Sequence, residues 1–482
     1  MGLARGEPER QNLPCGELRG RGGCHVRPGR HVLISPMSRK KSRYSKPHPG
    51  RRVIPEHYER NVIVLDIPEQ DKIDAITGKP LTVIRVERTE KVEVVPARLR
   101  VNVYERPIYG LPNRDGVVVA ELPLFPIDKC MADNGFLADV AVKRFVDHLP
   151  YYRQAEASVR DGLPFHRNEF DEWMLILGDD VLVPLYEALR RDVLNRDYVG
   201  FDDSGIALQI KGLGKLHPAR MWICRAGASP PHVFFRFSLT KEKEEPVALL
   251  NEFQGYAQAD AAAGHDQVMK TDGIVEVGCW AHATRRFKQA AVYHPVETVP
   301  ILDWLKHIYQ VEEQTRDLPP QQRHAVRLAS SKPVLDALFR TFEQLRAKLL
   351  PKSLLGEAVN YCLNQRAALL CYLEDGRLLI DNNAVERGIR PLGIGRKNWM
   401  FAGSERGGRT AAVFMSLFGS CRELKINPWL YMKDVLDRIM THPKDRLREL
   451  LPGYWQPLER NTRLGVPVFL DDDATSPARR PS

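Results

Sequence analysis

Three acids, Asp202, Asp260 and Glu386, have the residue types and surroundings that metal-assisted chemistry asks for. Asp202 closes an apolar run, Tyr198-Val199-Gly200-Phe201, and Asp260 closes a second, Tyr256-Ala257-Gln258-Ala259. Glu386 follows Asp381-Asn382-Asn383-Ala384-Val385, whose short polar side chains suit the start of a helix. Two carboxylates from strand ends and one from the first turn of a helix make an oxygen-only donor set, which suits Mg2+, with Mn2+ as a substitute. Such cations activate the attacking oxygen and stabilise the leaving one when a phosphodiester is cut or transferred. Crowded together without a cation, the same acids repel one another and their pKa values rise. Each acid taken alone reads as a solvated surface residue, so it is their placement that argues for a site. Asp203 falls on the opposite face of its strand and is the poorer ligand.

The residues around these acids suit DNA. Past Glu386 the chain reads Arg387-Gly388-Ile389-Arg390-Pro391-Leu392-Gly393-Ile394-Gly395-Arg396-Lys397-Asn398-Trp399, basic and punctuated by glycine. It reads as a strand-end clamp in which Arg387, Arg390, Arg396 and Lys397 hold phosphates. Trp399 either stacks on an unpaired base or sits in the core. Cys279-Trp280-Ala281-His282 is half of a zinc site or a packed strand-to-helix corner, and Arg285 and Arg286 follow it within reach of DNA. Residues 403–409 are rich in glycine but lack the Lys-Ser/Thr of a phosphate-binding loop, which argues against nucleotide binding.

Positioning these groups takes several elements. A chain of 482 residues with 43% hydrophobic content has room for two to four domains and a sizeable core. No apolar run reaches the length of a membrane span or forms a signal peptide, so a soluble, bacterial, nucleoid-associated cytoplasmic protein is expected. The eight scattered cysteines contain no Cys-x-x-Cys pair, against both a disulfide framework and a four-thiolate zinc site.

Residues 1–60 hold 14 Lys/Arg against 5 Asp/Glu, which accounts for most of the net charge of +10. They read as a basic arm suited to nucleic acid or, equally, as a solvated tail. Alternating Val92, Val94, Leu99, Val101 and Val103 predict a β pattern over about 61–109, ended by turn-forming residues at 111–116, within a small β-rich unit assigned to 61–125. Helical spacing covers 126–195, with a second helix expected to start near Asn168. Residues 151–177 fit a helix-turn-helix, but Glu169, Asp171 and Glu172 would then face phosphates, which favours plain helix packing. Over 196–292 three strands, a helix, a strand, a helix, a strand and a helix are expected. That order is α/β and matches a ribonuclease H-like core. An all-helical insertion follows over 293–375, then the glutamate helix of the core over 376–415, helical flanking residues 416–470 and a tail over 471–482.

Asp381-Asn382-Asn383-Ala384-Val385-Glu386-Arg387, residues 395–404, Cys279-Trp280-Ala281-His282-Ala283 and Leu450-Leu451-Pro452 together resemble the insertion sequence 66 family of bacterial transposases. The resemblance runs from about residue 49 to 456. It implies a DDE transposase that frees the 3′ ends of a mobile element and joins them to target DNA, with Asp202, Asp260 and Glu386 as the catalytic, metal-binding triad. Double-stranded DNA, further copies of the chain and accessory proteins of the same element are the implied partners. Family members carry a cysteine-rich zinc unit near the N-terminus, but residues 61–125 contain no cysteine, so no zinc is expected there. That departure and the missing zipper-like segment also suit a catalytically inactive DNA-binding remnant. A nuclease or resolvase of the same fold, without strand joining, is the other rival.

Overall fold

The computed structural model describes residues 78–80, 99, 101–110, 117–163, 165–227, 229–261 and 263–470. The chain parts into two compact units, Met1–Val95 and Pro96–Ser482, and every described helix and strand lies in the second. The basic arm of 1–60 and the tail of 471–482 lie outside the described residues.

Two short strands, β1 (Ile108–Gly110) and β2 (Val117–Val119), pair antiparallel. They stand on either side of residues 111–116, the expected turn-forming stretch, which lies outside the described residues. Val101 and Val103, expected to lie in a strand, are exposed and outside regular structure.

The central sheet carries the chemistry. Its strands are β3 (Tyr198–Gln209), β4 (Leu216–Ala226), β5 (Val233–Ser238), β6 (Gly255–Gln258) and β7 (Ile274–Val277), in spatial order β5-β4-β3-β6-β7. The pairs β3–β4 and β4–β5 are antiparallel, whereas β3–β6 and β6–β7 are parallel. A two-residue strand, β8 (Phe401–Ala402), adds to the far end of β3 opposite Ala207 and Leu208. The sheet is therefore mixed, in an α/β arrangement with many helices. The expected succession of strands and helices is present, and β8 is an addition to it.

Side-chain alternation sends the two faces of the sheet into separate cores. Val199, Phe201, Trp222, Cys224 and Phe234 pack with Leu249, Phe253 and Val268 on one face. Ile206, Leu208, Met221, Ile223 and Phe235 pack on the other with Val385 and Leu392 of the helix Asn383–Trp399 and with Ala412 and Met415. Asp202 has the parity of Ile206 and Leu208 and so belongs to the face that this glutamate helix covers. Asp203 shares the parity of Phe201.

Residues 295–371 carry the helices Pro295–Gln314, Pro320–Val326, Lys332–Arg346, Leu354–Asn364 and Arg366–Cys371. Their apolar faces share one core with Val277, Trp280 and Phe287 of the sheet side. Arg327 is fully buried there, paired with Glu312 at 2.6 Å and donating to the carbonyls of Tyr372, Asp375 and Leu378 at 2.8, 2.9 and 2.9 Å. A buried guanidinium is tolerated only when its donors are met in this way.

The helices Tyr151–Arg160 and Arg167–Ile176 pack through Phe170, Trp173 and Met174 into a core shared with Phe414, Leu417 and Tyr431 of the helices Glu405–Glu423 and Pro428–Arg438. The second of these helices begins one residue before Asn168, the expected cap. The backbone N–H of His166 donates to Glu169 Oε2 at 2.8 Å, so Glu169 serves the helix start. No described helix is long and apolar enough to cross a membrane.

Candidate active site

Register brings the apolar runs before the two aspartates side by side. In the parallel β3–β6 ladder Tyr198 pairs with Tyr256, Val199 with Ala257 and Gly200 with Gln258, and pairing then stops. Asp202 and Asp260 both lie two residues past that last pair, Asp202 still within β3 and Asp260 just beyond the end of β6. Asp202 is not at a strand end, as its apolar run had suggested. β3 continues through it to Gln209 because β4 and then β8 go on pairing after β6 has ended.

The Asp381-Asn382-Asn383 segment locks the glutamate helix onto β3. Asn382 donates through Nδ2 to the Phe201 carbonyl at 2.9 Å and through its backbone N–H to Cys279 Sγ at 3.3 Å. Asp381 accepts from the Asn383 backbone at 3.1 Å and from the Tyr309 hydroxyl at 3.0 Å. Gly200 makes the close approach possible, since a Cβ there would stand 2.7 Å from Val385 Cγ2 and 2.8 Å from Asn382 Oδ1. Beneath them Gln258 accepts from Tyr198 Oη at 2.6 Å and donates to the carbonyls of Gly278 and Leu379 at 3.0 and 2.9 Å. That buried amide ties β6, the end of β7 and the approach to the glutamate helix together.

The electrostatics follow from this crowding. Burial, reinforced by the charges of Asp260, Asp203 and Glu386, pushes the Asp202 carboxyl up to about 6, against a smaller stabilisation from the Asp203 backbone N–H. Asp202 thus feels the charge of both other candidate acids. Glu386 Oε2 lies 3.9 Å from Arg285 Nη2, and Oε1, which is buried and accepts no hydrogen bond among the described residues, lies 3.9 Å from His282 Nε2. Asp203 is held elsewhere, by Arg220 at 3.0 Å and Lys241 at 3.1 Å.

Among the described residues no three His, Cys, Asp or Glu side chains are gathered tightly enough to hold a metal ion unaided. The donor chemistry nevertheless fits a hard cation. Asp202, Asp260 and Glu386 would offer it oxygen donors alone, and Glu386 Oε1 is buried with no hydrogen-bond partner among the described residues.

Sequence reasoning passed over His265. Its ring is buried, bonded through Nδ1 to Asp260 Oδ1 at 2.9 Å and to the Asp260 carbonyl at 3.1 Å, and wedged edge-on against Phe201 and Trp222. Burial alone would lower its pKa, but its bonds to Asp260 outweigh burial and raise it. No sequence signal marks it beyond a histidine five residues after a candidate ligand.

Cys279 takes the structural side of its two readings. Burial pushes its thiol up to about 11, and Sγ accepts the Asn382 N–H while touching His282 Nδ1 at 3.3 Å. The thiol thus anchors the corner and turns His282 toward Glu386.

The basic stretch after Glu386 is a single helix as far as Trp399, not a strand-end clamp. Two of its glycines serve packing: a Cβ at Gly388 would stand 2.7 Å from Ile223 Cδ1, and one at Gly395 would stand 2.7 Å from Trp399 Nε1. Arg387, Arg390 and Lys397 are exposed, whereas Arg396 is half-buried and donates to the Gly205 carbonyl. Trp399 is packed against the core with the Arg144 guanidinium 5.2 Å from its ring centroid. Arg285 stands beside Glu386, and Arg286 lies over Tyr361 at 4.5 Å.

Residues 129–410 match the model of the family described as Transposase IS66 family, and residues 416–452 match the IS66 C-terminal element. Uncharacterized protein y4qI of Sinorhizobium fredii is 31% identical over 425 residues, covering 84% of this chain and 78% of its own length. Two further proteins of that organism, y4hP and y4jD, also named uncharacterized, are 27% and 29% identical over 86% and 84% of this chain and 78% and 81% of their own lengths.

Proposed function

This chain belongs to the Transposase IS66 family, and from that premise we propose that it is a DDE transposase: it cleaves the ends of an insertion sequence and joins their 3′-hydroxyls to target DNA. The observation that supports the reading is that the β3–β6 ladder ends two residues before both Asp202 and Asp260, while Asn382 and Gly200 bind the Glu386 helix to β3. The sheet order, with antiparallel β3–β5 and parallel β6–β7 beside β3, supports a ribonuclease H-like core interrupted by the helices of 295–371. Asp202, Asp260 and Glu386 are the catalytic acids and the holders of Mg2+, with Mn2+ as substitute. When bound, the cation supplies activation of the attacking oxygen and stabilisation of the leaving one.

The chain's own groups do the rest. Asp202 carries a charge that burial disfavours, so it has reason to take up a cation at neutral pH. Asp260 is oriented by His265, and Glu386 is steadied by His282 and Arg285 at distances long enough for it to turn. Arg285, Arg387, Arg390 and Lys397 hold DNA phosphates, neutralising charge that would otherwise repel the nucleophile. In its working form the protein acts as an oligomer, with element ends and target as DNA partners, in the bacterial cytoplasm.

The test is incubation of the full chain with Mg2+ and duplexes bearing the terminal inverted repeats found beside its gene. Strand-joined products support the proposal. Nicks alone would make it a nuclease or resolvase, and binding without nicks would make it an inactive remnant.

A further inference from the structure

The β3–β4 hairpin runs past the sheet. Its last paired residues are Gln209 and Leu216, and all residues from 209 to 216 are exposed. The tip, Ile210-Lys211-Gly212-Leu213-Gly214-Lys215, turns through left-handed Gly212 and Gly214, with the Leu213 N–H donating to Ile210 O at 3.2 Å. Ile210, Leu213 and Leu216 remain 40%, 42% and 46% exposed, and neither Lys211 nor Lys215 forms an ion pair among the described residues. The base is well anchored: β8 pairs with Ala207 and Leu208, and His217 Nε2 meets the Leu239 carbonyl at 3.0 Å. An anchored hairpin that presents apolar side chains between unpaired lysines has the charge and shape of a groove-inserting element for duplex DNA.

The glutamate helix gives this tip a direction. The helix touches β3 at Gly200 through Val385 and Asn382, and it ends where β8 joins Ala207 and Leu208, so it runs alongside the strand. Exposed Arg387, Arg390, Ile394 and Lys397 recur at helical spacing on its outer side. From Glu386 to Lys397 the helix rises about 16 Å, and β3 advances about 17 Å from Asp202 to Ala207. The basic stripe therefore leads from the acids to the base of the hairpin, and the exposed tip continues the same line.

We infer that the β3–β4 hairpin tip is a second DNA-holding element. Lys211 and Lys215 take phosphates, and Leu213 lies against the bases in a groove. Asp202 to Gln209 spans about 23 Å, so the contact made by the tip beyond Gln209 lies at least about seven base pairs from the scissile phosphate. The inference rests on the transposase reading for the position of that phosphate, but not for the DNA contact itself.

Two measurements test it. In EDTA, the affinity of the full chain for a linear duplex is measured against salt for the wild type and for Lys211→Ala/Lys215→Ala. Loss of two phosphate contacts lowers the slope of log K against log salt by about 1.8 and the affinity near 0.15 M salt by roughly 10- to 30-fold. The exposed control pair Lys348→Ala/Lys352→Ala leaves both unchanged. A hairpin variant with the wild-type slope overturns the inference. With a photo-crosslinking residue in place of Leu213 and a terminal-repeat duplex, adducts should centre about seven to ten base pairs from the cut. Adducts elsewhere, or none from a chain that still binds and cuts, overturn it and leave the transposase reading standing. A wild-type chain that binds no duplex sinks both.

Discussion

Replacing Asp202 by Asn should make the metal-free protein more stable, not less. Burial and the neighbouring acids raise this carboxyl from 3.8 to about 6. That rise corresponds to about 3 kcal/mol by which the folded state disfavours the ionised form. The raised pKa fixes the sign: the group costs nothing below about pH 4, its cost grows between about pH 4 and 6, and the full cost applies above 6. Asn keeps an oxygen to accept the Asp203 backbone N–H, bonded at 2.8 Å, and removes only the charge. In EDTA at pH 7.5, D202N should therefore resist urea better than the wild type, by at most about 3 kcal/mol, with the gap closing near pH 4. Added Mg2+ should stabilise the wild type through preferential binding to the folded state and do far less for D202N. A variant weaker than the wild type at pH 7.5, or a gap of the same size at both pH values, refutes the electrostatic account of this site.

Other expectations bear on how the site is held. Gly200→Ala drives a methyl into Val385 and Asn382 and should cost roughly 1–3 kcal/mol while cutting DNA processing far more than DNA binding; wild-type turnover would show that the helix does not need this approach. Arg327→Met strands Glu312 and three carbonyls in the helical core, and urea unfolding should register a loss of roughly 3–5 kcal/mol. Cys279, buried and with its thiol pushed up to about 11, should escape alkylation in the native protein at pH 8, and rapid labelling by iodoacetamide would contradict its anchoring role.

The sequence was most readable where pattern and structure share a period. The apolar runs before Asp202 and Asp260 are strands, and their level placement follows from a parallel ladder that the alternation of strands and helices implied. It was least readable where tertiary contacts override local preference. The interval from Glu386 to Trp399 holds three glycines and a proline, residues that ordinarily break helices. Here Ile223 presses on Gly388, the Trp399 ring covers Gly395, and Arg422 donates to the Gly388 carbonyl at 2.9 Å, so the helix persists. The apparent end of β3 at Asp202 misled for a related reason. Acidic and small residues interrupt the apolar run just where β6 stops pairing, yet β4 carries the strand on for seven residues more. His265 and Gln258 were out of reach of pattern altogether, because a buried polar partner is recognised by the group it meets and not by its spacing.

The central claim is that Asp202, Asp260 and Glu386, far apart along the chain, act on one shared cation site. Calorimetric titration of Mn2+ into the wild type and into Asp202→Asn, Asp260→Asn and Glu386→Gln, each with its fold verified, addresses it directly. The account predicts that every single substitution weakens the same binding event at least about tenfold, since each removes one anionic ligand. Wild-type affinity in Glu386→Gln, with binding lost only in the aspartate variants, would contradict it.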